Sequence, residues 1–208
     1  MARGLFITLE GGEGVGKSTL ARGLAARLEA RGRSVLQTRE PGGTPGAEAI
    51  RGLLVNGAVD RWGAPAEALL MSAARADHVA RAIGPALAEG RDVVCDRFAD
   101  STMAYQGLAG GLGVDAAHAL AQVATGGLAP DVTLVLDLDP EIGLARAAAR
   151  RGGEDRFEAK GLAFHTALRA AFRTIAAGDP QRCLLIDAAQ PPEAVLGQAW
   201  AAITARLP

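Results

Sequence analysis

Cysteine is scarce in this sequence. Only Cys95 and Cys183 occur, both inside apolar runs, which argues against a disulfide scaffold and for a reducing compartment. Long apolar runs are missing too: no stretch of about 18 residues is free of charge, so no transmembrane helix is expected. Met1-Ala2-Arg3-Gly4 leads straight into a strand-like segment, without the architecture of a signal peptide. There is no surplus of either charge sign, 22 cationic side chains facing 23 acidic ones for a net charge of −1. A general pull toward nucleic acid or a membrane surface is therefore excluded, and any anion binding must be built locally. Lysine is almost absent, with Lys17 and Lys160 against 20 arginines, so a retained lysine raises a question of geometry. What is present, 49% apolar residues in a chain of 208, suits one domain, since about 100–200 residues per domain is usual. The expectation is a single cytoplasmic domain over residues 1–208.

Five short runs rich in Val, Ile and Leu, at 5–9, 34–37, 93–95, 132–138 and 183–186, lack clean polar alternation, as strands buried on both faces of a parallel sheet do. Helical patterns lie between them. Leu20, Leu24 and Leu28 share one face, with Gly32 as a stop. Asp139-Pro140-Glu141 reads as a cap, a first-turn proline and an acidic first turn of a helix to about residue 150. A long helix over 65–89 is expected to kink near Gly84-Pro85, and a last helix covers 192–206. Segments 107–113 and 150–158 read as mobile loops. The fold class is α/β: a five-stranded parallel sheet flanked by helices, of P-loop NTPase type.

Gly11-Gly12-Glu13-Gly14-Val15-Gly16-Lys17-Ser18 matches G-x-x-x-x-G-K-[ST], with a strand before and a helix after. Glycines let successive N–H groups turn around a phosphate, and the helix adds its positive end. Lys17 supplies a compact charge for β- and γ-phosphates and Ser18 a hydroxyl for Mg²⁺; an arginine fork would not fit the same loop. The motif implies a nucleoside triphosphate bound with Mg²⁺. A guanine-reading switch would need an Asn-Lys-x-Asp segment, and the single asparagine, Asn56, precedes no lysine. A motor would need more chain. A small-molecule kinase needs arginines away from the P-loop and a closing flap. Asp96-Arg97, ending the third strand, fits the first need, for a metal shell and an acceptor phosphate or else as a buried ion pair. Arg150-Arg151-Gly152-Gly153-Glu154-Asp155-Arg156 fits the second as a cationic flap, or is an ordinary solvated loop. Another nucleoside monophosphate or small-molecule kinase, or a non-catalytic nucleotide-binding switch, remains the alternative.

These segments, with Thr38-Arg39-Glu40-Pro41-Gly42-Gly43-Thr44, Ala73-Ala74-Arg75, Ser101-Thr102, Ala104-Tyr105-Gln106-Gly107 and Pro130-Asp131-Val132-Thr133-Leu134-Val135-Leu136-Asp137, give the chain a resemblance to the thymidylate kinase family, which makes dTDP from dTMP and ATP. The resemblance spans nearly the whole chain and implies roles. The P-loop through Thr19 would take the ATP phosphates, with Arg146 near adenine. Glu13 would accept from the sugar 3′-hydroxyl; otherwise it is a solvent-facing loop residue. Arg97, helped by Arg39 and Arg51, would grip the acceptor phosphate; Arg51 taken alone reads equally well as a solvated helix residue. Arg75 and Thr102 would read the pyrimidine, supported by Ser101 and Gln106. Tyr105 would pack beside the sugar, or serve only packing. Asp96 would join Ser18 around Mg²⁺. Where the family usually stacks an aromatic ring on the base this chain has Met71; either Met71 covers the ring, or Phe98 does. Catalytic cations would be Lys17, Arg97 and the flap residues Arg150, Arg151 and Arg156. The resemblance also implies a homodimer through long helices such as 65–89. His78, His118 and His165 read as structural or surface residues; Asp77 and Asp137 read as structural, with a site role left open for Asp137 because it lies near a strand end.

Overall fold

The computed structural model of the chain describes residues 3–149 and 156–207. The five apolar runs become β1 (Phe6–Glu10), β2 (Val35–Arg39), β3 (Asp92–Asp96), β4 (Val132–Asp137) and β5 (Cys183–Asp187). They form one parallel sheet in the order β2-β3-β1-β4-β5. In the central strand β1, Ile7 pairs with Val94 on one side and Val132 on the other. Burial on both faces holds for β1, β3 and β4. The edge strands β2 and β5 depart from it, each having one neighbour, so that Gln37, Arg39 and Leu185 reach solvent.

The helices are α1 (Lys17–Glu29), α2 (Pro45–Val55), α3 (Ala64–His78), α4 (Gly84–Ala88), α5 (Ala99–Thr102), α6 (Val114–Thr125), α7 (Pro140–Ala148), α8 (Leu162–Gly178) and α9 (Pro192–Thr204). Period-two alternation in β1 divides its side chains. Ile7 and Leu9 pack with Leu20, Leu24 and Leu28 of α1 and with Val195, Ala199 and Ile203 of α9. Phe6, on the other face, packs with Ile83, Leu87 and Phe98. Further along that side, Val135 and Cys183 meet Tyr105, Leu168 and Phe172. Both cysteines are free and buried. No helix among the described residues is long and apolar enough to cross a membrane.

Two local expectations change. The helix over 65–89 is interrupted earlier than its proline, by a π-helical stretch, Val79–Ile83, where the Gly84 N–H donates five residues back to Val79. Pro85 has no N–H to donate and its ring crowds the preceding turn, and the wider turn absorbs the misfit upstream. Gly107 belongs not to a loop but to a second π-helical stretch, Met103–Leu108, and the turn begins at Ala109. Asp139 does cap α7, its side chain accepting from the Glu141 N–H. Of the 150–158 segment, residues 150–155 lie outside the described residues, and Glu158–Lys160 forms a single 3₁₀ turn.

Candidate active site

All five strands point their carboxyl ends the same way, and the loops leaving β1, β2 and β3 border a cleft of about 580 Å³. The β1–α1 connection is the P-loop. At Gly16 φ is +98° and an added Cβ would meet open space, so the conformation itself, rather than a neighbour, requires glycine. At Gly14, with φ +66°, a neighbour adds to the conformational requirement: a Cβ would lie 1.9 Å from the Gly143 carbonyl oxygen. The loop is thus braced against α7, glycine facing glycine. Lys17 opens α1, buried, and its ammonium donates to the carbonyls of Gly11 (3.1 Å) and Gly12 (2.6 Å). Burial, with Arg97 nearby, lowers its pKa to about 8 against the opposing pull of Asp96, Glu13 and Glu10. The Ser18 hydroxyl donates to Asp96 Oδ2 at 2.7 Å. Glu13, Gly14, Val15, Gly16, Lys17 and Ser18 line the cleft, whereas Gly11 and Gly12 support the loop from behind and Thr19 is exposed on α1.

Arg97 follows β3 in the left-handed region, with φ 73°, an uncommon state for a non-glycine residue and a frequent mark of functional sites. From there its guanidinium reaches across to the P-loop. It donates to the Gly11 carbonyl at 3.0 Å and to Glu13 Oε1 at 2.9 Å, and lies 4.9 Å over the Tyr105 ring. The Tyr105 hydroxyl donates to the same Glu13 oxygen at 2.7 Å. Burial alone would raise the Glu13 pKa; Arg97, Lys17 and the Tyr105 hydrogen bond outweigh it and hold the carboxyl at about 2. Glu13 is therefore a paired carboxylate facing the cleft, not a solvent-facing loop residue.

The far end of the cleft is built around Arg75, in α3. Its side chain is 2% exposed and donates to Glu40 Oε2 (2.7 Å), Thr102 Oγ1 (3.0 Å) and the Phe98 carbonyl (2.9 Å). These bonds use three of the five N–H groups a guanidinium carries. Thr102, Ser101, Tyr105, Gln106 and Met71 line the same end. Of the two side chains expected to cover the base, Met71 faces the cleft. Phe98 is fully buried, edge-on to Phe6 at 4.9 Å. Arg39, paired with Glu48, and Arg51, bonded to the Pro41 carbonyl, border the opening. Arg146 stands apart from this lining, 3.4 Å from the Ala188 carbonyl in the loop after β5.

Arg150 and Arg151 lie outside the described residues. Arg156, expected on the transferring phosphoryl group, is instead fully buried. It stands 2.6 Å from Glu67 Oε2 and donates to the carbonyls of Leu54, in the last turn of α2, and of Ala58 and Val59 just after it. No group of three or more His, Cys, Asp or Glu side chains suited to a metal occurs among the described residues.

Sequence reasoning gave no role to three acidic residues that organise this site. Glu10, ending β1, accepts from the N–H groups of Phe98 and Ser101 and from the Ser101 hydroxyl. Glu40 charge-pairs with Arg75, and Glu67 with Arg156 and Lys160. Glu40 sits within the Thr38–Thr44 motif and Glu10 directly before the first P-loop glycine, which was the available signal; Glu67 is a lone acid in a helical pattern and carried none. His78, bonded to Thr38 and Glu40, and His165, bonded to the Phe157 carbonyl, are structural, and His118 is exposed. Asp77 holds Thr44 and Arg81, and Asp137 holds Arg169.

The family model described as thymidylate kinase matches residues 9–199. Thymidylate kinase of Caulobacter vibrioides is 59% identical over 90% of this chain and 90% of that protein. The enzyme of the same name from Rhodopseudomonas palustris is 57% identical over 99% and 90%. That of Rhizorhabdus wittichii is 54% identical over 99% of each chain.

Proposed function

The chain belongs to the thymidylate kinase family, and on that footing we propose how its cleft moves the γ-phosphoryl group of ATP to dTMP, giving dTDP and ADP. It is a nucleoside monophosphate kinase, a phosphotransferase. One observation carries the reading at residue level: Arg97, on the acceptor side, bonds directly to the donor-side P-loop at Gly11 and Glu13. Two mutually repelling polyanions can be brought to contact only where cationic groups from both sides converge.

The P-loop amides from Gly11 to Thr19 and the Lys17 ammonium take the ATP phosphates, and Arg146, against Ala188, flanks the adenine. Arg97 takes the dTMP phosphate, with Arg39 and Arg51 at the opening of the cleft. Glu13, kept ionised by Arg97 and Lys17, accepts from the sugar 3′-hydroxyl, and Tyr105 fills the space a 2′-hydroxyl would need. The two N–H groups left on Arg75 face the pyrimidine beside Thr102, Ser101 and Gln106, with the Met71 thioether against its ring. A phosphate oxygen of dTMP attacks in line. Since that phosphate is already largely ionised near neutral pH, no protein base is required. Lys17 and Arg97 stabilise charge on the transferring group, together with Arg150 and Arg151.

Magnesium fits the residues present. Ser18 and Asp96 bring two hard oxygen donors 2.7 Å apart, a small set suited to an ion that keeps waters and substrate phosphate oxygens as its other ligands. Ser18 and Asp96 would hold the ion, and its charge would offset that of the phosphates. We also propose that residues 1–208 act as one catalytic domain, as a homodimer, in the cytoplasm; the two free buried cysteines agree with that location.

The test is a coupled assay with ATP and Mg²⁺ against dTMP, dUMP, UMP, CMP, AMP and GMP. The expected result is the highest kcat/KM with dTMP. Turnover of purine monophosphates alone would contradict the assignment.

A further inference from the structure

Lys160, the second of only two lysines, plays no part in the chemistry above, and neither does Glu67, a carboxylate 2% exposed in α3. They belong to one node. Glu67 Oε1 accepts from Gln106 Nε2 at 2.8 Å and from Lys160 Nζ at 3.2 Å, while Oε2 stands 2.6 Å from Arg156 Nη1. Gln106 lines the cleft, and so do Phe157 and Glu158, which lie between the two cations in sequence. Lys160 Nζ sits 5.1 Å from the Phe157 ring centre and 4.8 Å from that of Phe164. Phe157 in turn meets Tyr105 edge-on at 5.8 Å. A compact ammonium fits between a carboxylate and two ring faces, a place where a broad guanidinium would not.

We infer that Glu67 is a positioning residue of the acceptor subsite, its two oxygens joining the wall that carries Gln106 to the segment that carries Phe157 and Glu158. The inference rests on the reading that the cleft binds dTMP. The carboxylate is needed because each oxygen has a separate task. An amide has one acceptor oxygen and no charge, so Glu67→Gln can face its oxygen to Arg156 or to Lys160 but not both, and turns an NH2 toward the other cation, which has no acceptor to offer. Arg156 then serves as a strut, fastening the segment to the end of α2, rather than as a charge on the transferring phosphoryl group.

The test is steady-state kinetics on the full-length chain, varying dTMP and ATP separately, for wild type, Glu67→Gln and Lys160→Met. Lys160 is partly exposed, so Lys160→Met keeps its fold even if the buried Glu67→Gln does not. For Glu67→Gln the KM for dTMP is expected to rise about tenfold, the effect of misplacing one or two good hydrogen bonds. For Lys160→Met it is expected to rise about threefold, as for one partly exposed cation contact. In both, the KM for ATP should stay within about twofold of wild type. A purely structural role would lower the active fraction, and with it kcat, leaving KM for dTMP unchanged. That outcome, with an active wild type, overturns the inference alone. A wild type without dTMP-dependent turnover overturns the functional reading and this inference with it.

Discussion

Arg97 sits in a backbone state that typically costs a non-glycine residue about 1–2 kcal/mol, and the groups around it keep it there. Glu10, ending β1, accepts from the backbone N–H groups of Phe98 and Ser101, which follow Arg97. Burial and the neighbouring Asp100 raise the Glu10 pKa to about 7, although Ser101, Arg97 and Phe98 pull the other way. A carboxyl raised on folding binds its proton more tightly in the folded state, so stability falls as pH rises from the unfolded value of 4.5 toward 7. Glu13, lowered to about 2, acts oppositely: the stability it adds is present above 4.5 and is lost as pH falls from there toward 2. The two windows do not overlap. Removing the titrating group in Glu10→Gln should therefore flatten the decline in Tm between about pH 5 and 7, leaving acid unfolding unchanged. Thermal melts across that range check it, and parallel curves for the two proteins would contradict it. Residues with motif neighbours were legible in the sequence: Lys17, Arg97, Arg75 and Tyr105 all border or support one cleft. Their carboxylate partners were less so, because a partner is fixed by chain reversal; Glu67 is 39 residues from Gln106 and 93 from Lys160.

Among the elements, each of the five strands was readable from its apolar run, with ends moved by one or two residues. Burial on the edge strands was not, since sequence does not say which strands lack a second neighbour. Pro85 announced a break in the 65–89 helix, but the π-helical turn at Val79–Ile83 reflects how the backbone redistributes strain, which composition does not record. The helices α3 and α6 pack together and carry exposed apolar side chains, Leu69 at 57% and Val123 at 85%. Apolar side chains left this exposed on paired helices suit an interface between copies, and they support the proposed homodimer. The double substitution Leu69→Glu and Val123→Glu should convert dimer to monomer in sedimentation equilibrium while leaving the circular dichroism spectrum unchanged. A wild-type mass of a single chain would contradict the dimer, and an unchanged variant mass would contradict this face.

For the molecule as a whole, the parallel order β2-β3-β1-β4-β5 gathers the P-loop, the Arg39 strand end and the Asp96-Arg97 turn at one rim. Alternating strands and helices made that architecture legible, and ligands of open α/β sheets bind beyond the strand ends. Less legible was the placement of Arg156, which is buried at the node with Glu67, a position set by a carboxylate far off in sequence.

The central claim is that donor and acceptor occupy neighbouring parts of one cleft, joined through Arg97 and Glu13. A bisubstrate compound, adenosine and deoxythymidine linked 5′ to 5′ through five phosphates, tests it most directly in inhibition kinetics. The account expects one molecule bound per chain and competition against both ATP and dTMP. Competition against one substrate with indifference to the other would place the two sites apart and contradict it.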